Sequence, residues 1–91
     1  MTSEITDNRD AGRYELAIDG QTVFALYRRD GARVAIRHVE TPPSLRGNGV
    51  AGQLMEAIMQ RARAEGFTVT PMCSYAASWL SRHPEHRDLI A

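Results

Sequence analysis

Apolar and polar residues alternate with a period of two through the first forty positions, then switch to helical spacing after residue 49. Tyr14-Glu15-Leu16-Ala17-Ile18 reads as a half-buried strand, and Asp19-Gly20 as a hairpin turn. Gln21 to Arg28, carrying Val23, Phe24, Leu26 and Tyr27, reads as the second strand. Asp30-Gly31 predicts a second turn of the same type, and Arg33 to Glu40 the third strand. Strict alternation would put Val34, Ile36, His38 and Glu40 on one face, and Ala35, Arg37, Val39 and Thr41 on the other. The result is an antiparallel meander. Residues 1–12 are polar and aperiodic, so they are expected to be a flexible N-terminus.

From Gly49 to Glu65 the apolar positions Ala51, Leu54, Met55, Ile58 and Ala62 form one helical stripe, ended by Gly66. Phe67 to Met72 reads as a fourth strand. Because a helix precedes it, a right-handed crossover would lay it parallel to the third. Pro71 puts this strand at an edge or near its end. Ser74 can cap a second helix, with Ala76, Ala77, Trp79, Leu80 and His83 facing inward, and Pro84 stops it. The last residues are too few for an independent helix, and Leu89 and Ile90 are expected to tuck against the core. The pattern predicts an α+β domain over residues 13–91, a four-stranded mixed sheet in the order β-β-β-α-β-α with two main helices.

Composition narrows the class. A chain of 91 residues makes one domain with a small core. Its 43% hydrophobic and 24% charged residues are those of a soluble globular protein. A formal net charge of zero argues against nucleic acid and acidic membranes as partners. All 11 basic residues are arginine, a side chain suited to phosphate. With no lysine, a Gly-x-x-x-x-Gly-Lys-Ser/Thr phosphate loop is excluded, and the glycine spacing does not fit Gly-x-Gly-x-x-Gly. The single cysteine, Cys73, excludes an intrachain disulfide and suits a reducing compartment. No apolar leader or membrane-length run is visible, so a cytoplasmic protein, monomeric or weakly dimeric, is expected.

The most informative stretch joins the third strand to the first helix: Thr41-Pro42-Pro43-Ser44-Leu45-Arg46-Gly47-Asn48-Gly49-Val50-Ala51. The prolines stop the strand. The glycines allow a tight turn and a close backbone approach, and Asn48 is placed to cap the helix. A helix N-terminus offers unpaired N–H groups and partial positive charge to a phosphate or pyrophosphate. Arg46 beside it can add charge-assisted hydrogen bonds. The spacing Arg46-x-x-Gly49-x-Ala51 leaves room for phosphate oxygens at the first helical turn.

With these residues in place, the stretch from Val34 to Trp79 resembles the core of the GNAT superfamily of acetyl-CoA-dependent N-acetyltransferases. The chain is similar in particular to the minimal single-domain members. The resemblance rests on His38 to Ala51, on Cys73 after the fourth strand, and on Trp79-Leu80-Ser81-Arg82-His83-Pro84-Glu85. It implies that Arg46, Gly47, Asn48, Gly49, Val50 and Ala51 hold the pyrophosphate of acetyl-CoA or coenzyme A. The pantetheine arm would lie between the third and fourth strands, with the thioester near Val39, Glu40 and Cys73. Thr41 and Ser74 complete the expected cofactor contacts. The chain lacks the helical pair that larger members insert after their first strand.

The implied activity is transfer of an acetyl group to a small-molecule or peptide amine. A protonated amine must lose a proton before attacking a thioester, and Glu40 or His38 is placed to take it. Backbone N–H groups near Val39 would stabilise the oxyanion. Cys73 or Tyr75 would protonate the leaving thiolate, or Cys73 would carry the acyl group transiently. A small buried apolar role is open for Cys73, as are solvated or packing roles for Glu40, His38 and Tyr75. The alternative function is a non-catalytic module that holds CoA or acyl-CoA. His83, His86 and Cys73 lack a fourth metal ligand at convincing spacing, so no metal is expected.

Overall fold

The computed structural model describes residues 5–91. Five strands, β1 (Thr6–Asn8), β2 (Arg13–Ile18), β3 (Gln21–Asp30), β4 (Arg33–Glu40) and β5 (Thr68–Pro71), form one sheet in sequential order. The first four are antiparallel, and β5 lies parallel to β4. Helix α1 (Val50–Glu65) makes the crossover between them, α2 (Ser74–Ser81) follows β5, and a 3-10 turn runs through Pro84–Leu89.

The sheet has one strand more than the four predicted. Thr6–Asn8 pairs with Arg13–Glu15, Ile5 is buried in the core, and the Tyr27 hydroxyl donates to Asp7. These polar residues form an edge strand through ladder bonds and side-chain partners, which hydrophobic periodicity does not register. The expectation of flexibility is therefore corrected for residues 5–12, and residues 1–4 lie outside the described residues.

Tyr14, Leu16, Val23, Ala25, Val34, Ile36 and Val69 are buried on one face of the sheet. They join Leu54, Met55, Ile58, Met59 and Ala62 of α1 and Ala76, Trp79 and Leu80 of α2 in one core. Ala77, predicted to face inward, is exposed. Both helices thus cover the same face, and the opposite face stays open. The Asp19-Gly20 turn has positive φ at both residues, as a tight hairpin of right-handed twist requires. The second hairpin differs from expectation. Asp30 pairs with Arg33, so its loop is Gly31-Ala32, with positive φ at Gly31 alone.

A β-bulge changes the site. Leu26 pairs with His38 and Tyr27 with Ile36, so Arg37 is the extra residue on β4. The face of every following residue is reversed. Val39 joins Ile36 on the covered face, whereas His38 and Glu40 share the open face with Leu26 and Phe24. The predicted single face for Val34, Ile36, His38 and Glu40 is therefore broken after Ile36.

The C-terminal turn is fastened to α1 by side chains. Arg63 donates to both carboxylate oxygens of Asp88 at 2.9 and 3.2 Å, and buried His86 meets Glu56 at 2.9 Å. Leu89 packs against the core, whereas Ile90 is exposed and instead bridges to Val69.

Candidate active site

β4 and β5 pair only from Arg33 with Thr68 to Ile36 with Pro71, after which Met72 N–H donates to Ile36 O at 2.8 Å. Beyond that point the strands part, and Arg37 to Glu40 has no partner on the β5 side. The chain then turns through a 3-10 segment, Pro43–Leu45, anchored by buried Leu45 and by a hydrogen bond from Ser44 Oγ to Gln21 Oε1 of 2.8 Å. Gly47 and Gly49 both adopt left-handed backbone, with φ of +85° and +74°. A side chain at either would be strained there.

Gly49, not Asn48, is the N-cap of α1, and no side chain caps this end. The N–H groups of Gly47, Gly49, Val50 and Ala51 have no protein acceptor among the described residues. No acidic side chain occupies the first turn. A Cβ built on Gly49 would point into open space. This end of α1 therefore presents its donors and its dipole to a cavity of about 430 Å³.

Val39, Glu40 and Thr41 line that cavity on one side, Arg46, Gly47, Gly49, Val50 and Ala51 on another, and Tyr75 of α2 on a third. All nine were singled out in the sequence. Leu45 lines it too and was missed, since one leucine in a Pro-Gly loop carries no periodic signal. His38, Asn48, Cys73 and Ser74 do not line the cavity.

Cys73 is the N-cap of α2, replacing the expected Ser74. Its Sγ accepts the Ala76 N–H at 3.3 Å, and it is half-buried against the core. Tyr75 takes the cavity wall instead. Partial burial raises its hydroxyl above the ordinary tyrosine value, so it holds its proton. Gly52 backs this wall, because a Cβ there would stand 3.2 Å from Trp79 Nε1 and 3.9 Å from the Tyr75 hydroxyl.

At the cavity rim, His38 Nε2 lies 2.9 Å from Glu40 Oε1, and Arg46 Nη2 lies 3.5 Å from Glu40 Oε2. Arg46 also donates from Nε to Thr41 O at 3.2 Å. The His38 hydrogen bond, with Arg46 adding to it, holds the Glu40 carboxyl below its ordinary value. A carboxylate so held is a weak base. It is better suited to orienting His38 than to taking a proton itself.

A family model described as GCN5-related N-acetyl-transferase matches residues 13–89. The chain belongs to the GCN5-related N-acetyltransferase family. The match runs from β2 to the C-terminal turn and so includes the loop, the cavity and both helices. Its fold is also that of a GCN5-like protein from Staphylococcus aureus whose structure was determined in solution by NMR. The TM-score is 0.74 at 22% identity, over 99% of this chain and 89% of that one. No curated protein matches the chain significantly. No helix of the described residues is long and apolar enough to cross a membrane.

Proposed function

We propose that this GCN5-related protein transfers an acetyl group from acetyl-CoA to an amine. The observation that carries the reading is the uncapped N-terminus of α1, opening onto a cavity whose far wall is Tyr75. The residues fit the group: unpaired N–H groups and a helix dipole suit a pyrophosphate, and the gap beyond Ile36 suits a narrow arm. When bound, acetyl-CoA supplies an activated thioester.

The chain's own residues supply the rest. Gly47 and Gly49 keep the loop backbone free of side chains, so that N–H groups can approach phosphate oxygens. Arg46 adds charge at the rim while Glu40 and Thr41 hold it in place. Free backbone N–H groups near Val39 stabilise developing negative charge. His38, oriented by Glu40, takes the proton from the incoming amine, and the Tyr75 hydroxyl donates one to the departing sulfur.

A second reading, a CoA-holding module without turnover, is favoured by one observation. Cys73 does not line the cavity, and its sulfur serves as a helix cap. Release of free thiol from acetyl-CoA, followed over a panel of small amines and N-terminal peptides, separates the two readings. Amine-dependent release supports the enzyme. Tight CoA binding with no release across the panel supports the module. Rapid-quench mass spectrometry settles the route: absence of an acetyl adduct on Cys73 during turnover argues for direct transfer.

A further inference from the structure

The open face of the sheet carries a second concavity, at the opposite end of β4 from the loop. Arg28 and Asp30 of β3, Arg33 and Ala35 of β4, and Thr70 of β5 meet there, with Arg29 at the margin, around a cavity of about 450 Å³. The register explains the gathering. Arg28 pairs with Ala35, Asp30 with Arg33, and Ala35 with Thr70, so all five side chains rise from one face of three adjacent strands. Ala35 is the small floor and the arginines are the walls. From Arg33 to Glu40 along β4 is roughly 20 Å, so this dish and the CoA cavity are separate.

Arg28 and Arg33 form no salt bridge among the described residues, whereas most other arginines outside the dish are engaged with carboxylates or backbone oxygens. Arg29 pairs with Val34, donates to Gly31 O at 2.9 Å and lies over the Phe67 ring at 5.0 Å, so its charge is turned to the covered face and the dish is left to Arg28 and Arg33. The opposing negative group is Asp30, and Thr70 Oγ1 donates to the main-chain oxygen of Ala91 at 3.4 Å. Two guanidinium groups, Arg28 and Arg33, against the single side-chain carboxylate of Asp30 leave local positive charge on a chain whose formal net charge is zero. Guanidinium forks match the paired oxygens of a phosphate.

We propose that this dish binds a compact phosphate-bearing polyanion, with Arg28 and Arg33 as its two principal ligands. The cavity is of a size that suits a small molecule. A concave floor favours a compact ligand over an extended strand of acidic protein.

The test is an amide NMR titration of the full chain with inorganic pyrophosphate, in parallel with an acidic hexapeptide. Pyrophosphate is expected to shift Ala35 and Thr70 along with the Arg28 and Arg33 side-chain Nε–H signals. It is also expected to shift Gly49 and Ala51 through the loop, so the two sites are read separately. R28Q/R33Q, at two exposed positions without ion-pair partners among the described residues, should fold normally and lose only the Ala35 and Thr70 response. D30N should tighten the response by up to about fivefold, the range of an exposed charge contact. Pyrophosphate shifts confined to Gly49 and Ala51 would overturn the proposal. So would an Ala35 response that persists unchanged in R28Q/R33Q, or a dish that answers the peptide and not pyrophosphate.

Discussion

The two helices begin in contrasting ways. α2 starts with a filled cap: Cys73 Sγ takes the Ala76 N–H, and the residue packs into the core. α1 starts with glycine in a left-handed conformation, no side-chain acceptor and no carboxylate, and its first N–H groups face a cavity. Both termini carry the same dipole, so the difference lies in what has been supplied to neutralise it. A capped end is a structural joint. An end left open beside a cavity and an arginine, with a cap residue close by in Asn48, is the feature on which the proposed pyrophosphate site rests.

Filling the open end is the strongest way to break this contrast. Gly49→Val should lower CoA affinity at least about a hundredfold by titration calorimetry, because a branched side chain at φ +74° is strained and occupies the cavity mouth. Unchanged affinity would place the cofactor elsewhere. Next in size is Tyr75→Phe, which should lower kcat about a hundredfold while leaving the KM for acetyl-CoA nearly constant, as loss of a proton donor does. A matched rise in KM would instead assign Tyr75 to binding.

Emptying the filled end tests the other half. Cys73→Ala should destabilise the fold by about 0.5–2 kcal/mol in urea melts, the usual cost of a lost cap. Cys73→Ser should restore stability. If the serine variant is stable and retains transfer activity, the sulfur serves only as a joint; a stable but inactive variant would reinstate acyl transfer through Cys73.

The far end of α1 supplies a pH dependence. Burial raises the Glu56 carboxyl, but hydrogen bonds from Gln60 and His86 outweigh it, and the net position is below the ordinary 4.5. Asp88 is lowered by its hydrogen bonds from Arg63. For a carboxyl lowered by folding, the stabilisation is fully present above the unfolded value and is lost as pH falls through the folded one. Melting temperature should therefore decline as pH drops below about 4.5, and Glu56→Gln together with Asp88→Asn should flatten that decline. The smallest effect is expected at Tyr14, whose buried hydroxyl has no hydrogen-bond partner among the described residues. Tyr14→Phe should change stability by no more than about 0.5 kcal/mol, or raise it slightly, because an unpaired polar group is removed.

Much of this architecture was legible in the sequence because it is written in periodicity and in turn residues. The β2–β3–β4 meander, the α1 stripe, the Gly66 stop and the parallel return of β5 all follow from such signals. The caps were misread for a physical reason. Asn48 and Ser74 have the better cap chemistry, yet backbone geometry gave both positions to their neighbours, left-handed Gly49 and extended Cys73. The Arg37 bulge was invisible because it depends on pairing with β3, and it moved His38 and Glu40 to the opposite face from Val34 and Ile36. The edge strand Thr6–Asn8 was missed because its residues are polar and pair with nearby Arg13–Glu15 without any hydrophobic period of their own. Of the site, the loop was readable because its glycines, prolines and arginine are local. That Tyr75 lines the cavity and Cys73 does not follows from the cap at α2, and so required the fold.

The contrast between the two helix starts is tested most directly by following amide NMR signals while coenzyme A is added. Saturable shifts at Gly47, Gly49, Val50 and Ala51, with Ala76 unmoved, are the predicted result. A titration that leaves Gly49 to Ala51 unchanged, or moves Ala76 instead, would contradict the assignment of the open α1 terminus as the pyrophosphate site.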